Sequence, residues 1–291
     1  MTPDREVAAS AIFEFDDSAV SKVAALMRDV AKRKIMPHFG GTGFADIKTK
    51  MGPLDPVTLA DQEAEAALIA GLKELFPNIM SVGEESCAAD PALYSQIGGT
   101  KPVFVIDPID GTQNFASGLP LFGVMIALIE GDEILAGLIY DPIRDDTVVA
   151  RAGGGAFLLR HDQGTYEHRI KLKAAGPRSL DQMIAAISWQ YMGEAERDVV
   201  LRNLVQLGQV PNFRCAAHTY RALAMGHLHA AVSRRTLAWD HAAGALIAAE
   251  AGAYVRRIDG LEFDSVDRDG GILVAPDETS WKLLHDALFR S

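Results

Sequence analysis

The run Val103-Phe104-Val105-Ile106-Asp107-Pro108-Ile109-Asp110-Gly111-Thr112 constrains the fold more than any other segment. Four apolar residues entering a turn are the pattern of a buried strand, which must be covered by other layers. The strand delivers Asp107 at its carboxyl end, Pro108 fixes the backbone and Gly111 supplies a tight turn. Side chains three apart face opposite ways along a regular strand, but in a turn Asp107 and Asp110 converge and can grip one cation, with the Thr112 hydroxyl beside them. Hard cations such as Mg²⁺ take oxygen ligands and keep positions for water and substrate phosphate. Taken alone, D-x-x-D-G-T is equally the composition of an ordinary turn.

Around this strand the patterning predicts layers. Val20, Val23, Met27 and Val30 recur at helical spacing, so 18–35 reads as an amphipathic helix ending before Pro37. Residues 39–57, rich in Gly and Pro, read as a mobile loop carrying Lys48 and Lys50, and 58–75 as a second helix stopped by Pro77. A short strand at 80–82 precedes Gly83-Glu84-Glu85-Ser86. Residues 123–129, 134–140, 146–150 and 156–160 read as an antiparallel meander. Beyond about residue 177, strand-like pieces (183–188, 228–233, 253–257, 272–275) alternate with helical ones (194–207, 216–226, 240–251, 277–289). This predicts an α+β first half, 1–177, and an α/β second half, 178–291.

The 291-residue chain carries a formal charge of −11, from 28 Lys+Arg against 39 Asp+Glu. That opposes a nucleic-acid polymer as partner, because phosphate contacts supply most of such affinity. An acidic protein that handles phosphate needs a local correction of its field, and bound cations provide one. No apolar window is long enough to span a membrane. The N-terminus has neither a basic nor an apolar leader region, and two cysteines suit a reducing compartment, so the expectation is cytoplasmic.

Three further acidic segments accompany the first: Asp55-Pro56-Val57-Thr58-Leu59-Ala60-Asp61, Gly83-Glu84-Glu85 and Trp239-Asp240-His241-Ala242-Ala243-Gly244. Each has a bland reading, as a capping box for Thr58 and Asp61, solvated loop charge for Glu84 and Glu85, and an N-cap for Asp240. Together, as D-x-V-T-x-x-D, G-E-E, D-P-I-D-G-T-x-N-F and W-D-x-A-x-G in this order and spacing, they make the chain resemble the inositol monophosphatase family along nearly its whole length.

The resemblance implies a layered αβαβα sandwich, Mg²⁺ dependence with two or three ions, and hydrolysis of a small phosphorylated metabolite by a homodimer. Carried over by motif, Glu84, Asp107 and the Ile109 carbonyl would bind one Mg²⁺, and Asp107, Asp110 and Asp240 a second. Glu84 would share a third, weaker ion through water. Asp61 with Thr112 would orient and deprotonate the attacking water, and Lys50 would assist metal or phosphate binding. Backbone N–H groups of Gly111 and Thr112, at the start of a helical turn, would hold phosphate oxygens.

Other signals are set aside. Gly153-Gly154-Gly155 reads as a hairpin turn, Gly40-Gly41-Thr42-Gly43 lacks a P-loop ending, and His227 with His229 lacks zinc-site companions. Cys87 follows two glutamates, which raise a thiol pKa. A haloacid-dehalogenase-type phosphatase is opposed by the extra residue between the carboxylates and by the absence of lysine between Thr112 and Asp145. A two-metal nuclease is opposed by the charge. A catalytically inactive regulatory relative is opposed by the complete carboxylate set.

The substrate side departs from the family pattern. Members acting on inositol phosphate carry a glutamate seven residues before the W-D aspartate, where Ser233 stands here. The usual Gly-Ser/Thr-Ala-Ala element is replaced by Arg214-Cys215-Ala216-Ala217, and Arg234 and Arg235 add positive charge. These departures predict that inositol 1-phosphate is a poor substrate compared with at least one other small phosphate monoester, with histidinol phosphate, fructose bisphosphate or a nucleotide 3′-phosphate as alternatives of the same fold. Arg234 and Arg235 would favour a second anionic group.

Overall fold

The central strand β4 (Val103–Asp110) is buried along its whole length and feeds two cores at once. Phe104 and Ile106 enter one, and Val103 and Val105 the other, as the two-residue period of a strand requires. The computed structural model describes residues 15–40, 48–49, 56–57, 59–162 and 165–290.

β4 lies in a seven-stranded sheet with β3 (Met80–Gly83), β5 (Gly123–Glu130), β6 (Glu133–Asp141), β7 (Asp146–Arg151), β8 (Gly155–Asp162) and β9 (Thr165–Lys171), in that spatial order. β3 runs parallel to β4 and every later neighbour is antiparallel. The expected meander is present, with β9 as an additional edge strand. The glycine run at 153–155 turns the β7–β8 hairpin, where the Glu250 carboxylate accepts hydrogen bonds from the N–H groups of Gly153 and Gly155, each at 2.7 Å.

One face of this sheet is covered by α1 (Asp17–Val30) and α2 (Leu59–Leu75). Asp16 caps α1 by accepting from the Ala19 N–H at 2.8 Å. After Val30 the helix continues as a π-helical turn, Ala31–Ile35, and a 3₁₀ turn, Met36–His38, so Pro37 sits inside the closing turn. Within 39–57, Lys48–Thr49 and Pro56–Val57 (β1 and β2) pair antiparallel. Lys50, Asp55 and Thr58 lie outside the described residues.

The other face is covered by α6 (Ala216–Ala224) and α7 (Ala238–Glu250), whose far sides meet a second sheet. That sheet holds β10 (Ala185–Ser188), β11 (Ala230–Ser233), β13 (Ile272–Ala275) and β12 (Tyr254–Arg256), in this order. Ala186, Ala231, Ile272 and Val274 point back to α6 and α7. Ala185, Ile187, Ala230, Val232 and Leu273 face an outer core with Val200 of α5 (Glu194–Asn203) and Trp281 and Leu284 of α8 (Glu278–Phe289). Helices, sheet, helices, sheet, helices: the αβαβα sandwich is present. No helix among the described residues is long and apolar enough to cross a membrane.

Candidate active site

Asp107 and Asp110 converge by a different device from the turn expected at the sequence level. β4 stays in the sheet through Asp110, but its register against β5 shifts: Asp107 opposes Met125 and Asp110 opposes Gly123. Three steps on β4 match two on β5, so one residue is extra. This is a β-bulge, and it turns two side chains three apart onto one face. Gly111 then takes a left-handed conformation, φ 85°, and starts the short helix α4 (Thr112–Ala116). A Cβ at Gly111 would lie 2.8 Å from the Leu121 carbonyl oxygen and 3.2 Å from Cys215 Sγ, so glycine answers both conformation and space.

Asp240 comes from elsewhere in the chain, in the first turn of α7, where Leu237 and not Asp240 is the cap. One carboxylate oxygen from each of Asp107, Asp110 and Asp240 lies within 4.8 Å of the others, and among the described residues this is the one such group of potential metal-ligating side chains. The three border a cleft of about 700 Å³ together with Glu84, Ile109, Gly111, Thr112 and Ser233, a volume that suits a small metabolite.

Among the described residues, the cluster is short of positive charge. Burial, then the neighbouring Glu84 and Asp110, push the Asp240 carboxyl up to about 8. Burial also raises Asp110, opposed by hydrogen bonds from Cys215 and from the α6 backbone. The Ala217 N–H donates to Asp110 Oδ2 at 2.5 Å and the Cys215 thiol at 2.9 Å. Arg235 reaches Asp240 at 4.0 Å and lies over the Tyr191 ring. All-oxygen donors crowded until one resists ionising are what a hard divalent cation fits.

Glu84 opens α3 (Glu84–Ala89), whose first N–H groups at Glu85 and Ser86 donate to the Glu65 carboxylate at 2.7 and 2.8 Å. Glu65 lies one helical turn beyond Asp61 on α2, and both are buried. Thr112 Oγ1 lies 2.9 Å from the Ile109 carbonyl and 3.4 Å from Asp61 Oδ1. The structure thus gathers Asp61, Glu84, Asp107, Ile109, Asp110, Thr112 and Asp240 around one cleft end.

Two substrate-side expectations change. Arg234 turns away from the cleft, ion-pairs with Glu196 and borders a separate recess with Ile258 and His285, whereas Arg235 faces the cleft. Successive residues leaving a strand point to opposite faces, and the cleft takes only one of the pair. Ser233 does line the cleft, but its hydroxyl donates to the Arg235 carbonyl at 2.8 Å. Glu65, Cys215 and the Tyr220–His241 pair were not singled out as site residues from the sequence. An acidic residue one turn after Asp61 in an otherwise apolar helix face was the available signal for Glu65. Tyr220 and His241 are hydrogen-bonded at 2.8 Å beneath the cleft, where burial holds His241 down to about 4. Cys87 is buried and raised to about 11, first by burial and then by Glu65. His229 Nδ1 accepts from the Ile184 N–H at 3.1 Å, a structural role.

Comparison with known proteins agrees with the geometry. The model of the inositol monophosphatase family matches residues 13–290. The inositol-1-monophosphatase of Mesorhizobium japonicum is 31% identical over 262 residues, covering 89% of this chain and 91% of its own length. That of Caulobacter vibrioides is 34% identical, over 75% of this chain and 82% of its own. The crystal structure of the extragenic suppressor protein suhB from Bartonella henselae superposes with a TM-score of 0.75 at 27% identity, covering 93% of this chain and 97% of that one. A flexible active-site region is described for an inositol monophosphatase from Zymomonas mobilis, which superposes at 0.74 with 24% identity. The chain belongs to the inositol monophosphatase family and is a hydrolase of phosphoric monoesters.

Proposed function

We propose that the chain hydrolyses a small phosphate monoester in an Mg²⁺-dependent reaction at the Asp107–Asp110–Asp240 cluster. The supporting observation is that three carboxylates, gathered within 4.8 Å at the cleft, have too little positive charge among the described residues to balance them. Glu84, Asp107 and the Ile109 carbonyl would hold one ion, and Asp107, Asp110 and Asp240 a second, with Glu84 near a third. Bound Mg²⁺ supplies neutralisation of phosphate charge and acidification of water. The side chains then have mainly positioning and proton-transfer work.

Thr112 has one hydroxyl proton and two acceptors, the Ile109 carbonyl and Asp61. When that proton faces Asp61, a lone pair of Oγ1 accepts from the attacking water. As the water oxygen bonds to phosphorus and the ester P–O bond breaks, the water proton passes to Oγ1, the hydroxyl proton passes to Asp61, and the leaving alkoxide takes a proton from solvent. The backbone N–H groups of Gly111 and Thr112 are offered to phosphate oxygens, and Lys50 would assist them. The 1–177 half would carry most of the metal ligands, and the 178–291 half Asp240 and the substrate wall.

The names of the relatives make inositol 1-phosphate the first ester to try, and Ser233 lacks the charge of the family's glutamate toward a substrate hydroxyl. The test is phosphate release from a panel of metabolite esters with Mg²⁺ and with excess chelator. Full activity in chelator would overturn metal dependence, and no release from any ester would overturn the assignment. A cytoplasmic homodimer is our reading of the working form, which light scattering and fractionation check.

A further inference from the structure

Resting on the phosphatase reading, we infer that Arg214 is a specificity residue that binds a second anionic group of the substrate. Arg214 borders the same cleft as the carboxylate cluster, at the head of α6. It directly precedes Cys215, whose thiol contacts Asp110, so its backbone is one residue from a contact to the cluster. Its guanidinium is anchored, with Nη2 donating to Asn114 Oδ1 at 3.2 Å. Asn114 is itself fixed, its side-chain N–H groups donating to the carbonyls of Leu121 and Phe213, both at 2.8 Å.

Two arginines border the cleft, and their situations differ. Arg235 has a carboxylate within reach, Asp240 at 4.0 Å, and lies over the Tyr191 ring. Arg214 has no carboxylate partner among the described residues, is exposed, and uses one of its five donors on a neutral amide. The remaining fork matches a phosphate or carboxylate. In a chain of net charge −11, a guanidinium in the cleft wall with no carboxylate partner among the described residues is a local exception to the field.

The backbone adds an independent observation. Arg214 has φ 50°, a left-handed conformation that favours glycine, and it is one of two non-glycine residues with positive φ among those described. Glycine would fold here with less strain. An arginine that holds this conformation, makes one neutral side-chain hydrogen bond and faces the cleft is better explained by what it binds than by what it stabilises. The substrate class is therefore a small metabolite carrying the scissile phosphate and a second phosphate or carboxylate.

The experiment compares matched pairs that differ only in the second anion: inositol 1-phosphate with inositol 1,4-bisphosphate, and fructose 6-phosphate with fructose 1,6-bisphosphate. Wild-type kcat/KM should favour the bisphosphate of at least one pair well beyond the statistical factor of about two. In Arg214→Gln that ratio should fall about tenfold, the scale of one charge-assisted hydrogen bond (about 1.4 kcal/mol). Arg214→Gly should lose the same ratio while melting no lower than wild type, which a structural arginine would not allow. Phosphate release with no bisphosphate preference, or with a ratio unchanged in Arg214→Gln, overturns the role of Arg214 and leaves the phosphatase standing. No release from any ester overturns both.

Discussion

Replacing Asp240 by Asn tests whether the cleft is built around cations. In metal-free protein the Asp240 carboxyl is pushed up to about 8 by burial and by Glu84 and Asp110, against about 3.9 in an unfolded chain. A carboxyl whose pKa is raised by folding binds its proton more tightly in the folded state. Its contribution is therefore destabilising, growing as pH rises above the unfolded value and levelling off above the folded one. At pH 7 the gap is about three units, and at about 1.36 kcal/mol per unit the ceiling is roughly 4 kcal/mol. Glu84 and Asp110 share the repulsion and Arg235 offsets part of it, so one Asn recovers about 1–3 kcal/mol. In chelator at pH 7–8, Asp240→Asn should unfold at higher urea than wild type, and the gain should vanish near pH 4. Saturating Mg²⁺ should reverse the order, because wild type binds it more tightly and is stabilised by mass action. Phosphatase turnover should fall about a thousandfold, equivalent to about 4 kcal/mol of transition-state stabilisation. Urea titrations between pH 4 and 8, with chelator and with Mg²⁺, follow both effects by tryptophan fluorescence. A variant no more stable than wild type in chelator at pH 8, or one with near-normal turnover, refutes the reasoning.

Gly111→Ala should destabilise by about 2 kcal/mol or more, combining left-handed strain with the 2.8 Å approach to the Leu121 carbonyl, and a melt with parallel turnover measurements checks it. Asp145 tests a site-independent ion pair: Arg28 donates to it at 2.6 and 2.7 Å and Tyr140 at 2.8 Å, holding its carboxyl far below the usual range. Its stabilising contribution is present above pH 4 and lost as pH falls further, so Asp145→Asn should cost about 1 kcal/mol at pH 7 and nothing at the acid end, given a side chain one-third exposed. Asn also tolerates the φ of 52° at this position, which isolates the charge. Activity should rise with Mg²⁺ and be lost in chelator, with Ca²⁺ binding but failing to support turnover, and full activity with Ca²⁺ would contradict an octahedral requirement.

Much of the fold was readable because two periodicities stay clean. The apolar run before Asp107 and the small-sheet pieces around 185–188, 230–233 and 272–275 appear where the pattern places them. β9 was missed because Thr165-Tyr166-Glu167-His168-Arg169-Ile170-Lys171 reads as polar, with no apolar run to mark a strand. The convergence of Asp107 and Asp110 was anticipated but its cause was not. A bulge is defined by the partner's register, and nothing local to β4 reports that Asp110 opposes Gly123. Arg234 and Arg235 illustrate the same limit at the substrate end. Their composition promises charge, but which one enters the cleft depends on the pleat parity of β11 and on the Glu196 carboxylate waiting on the other side. The departure at Arg214-Cys215 was visible in the sequence, whereas the contact between its thiol and Asp110 required α6 to be docked against β4.

The carboxylates arrive on elements from distant parts of the chain, so their spacing is set by how closely those elements approach. At Gly83 a Cβ would fall 2.1 Å from the Glu65 carboxyl carbon, in the space through which Glu65 reaches the N–H groups of α3 and orients the turn bearing Glu84. At Gly244, one turn after Asp240 on α7, a Cβ would fall 2.0 Å from the Tyr220 ring of α6. A methyl group there separates α6, which donates to Asp110, from α7, which carries Asp240. Interiors packed at crystal-like density transmit such a displacement and do not absorb it. The G-E-E and W-D-x-A-x-G motifs therefore pair each proposed ligand, Glu84 and Asp240, with the glycine that lets its element approach. Geometry and ligand chemistry are specified together, and a single added methylene at either glycine should loosen cation binding without removing any donor.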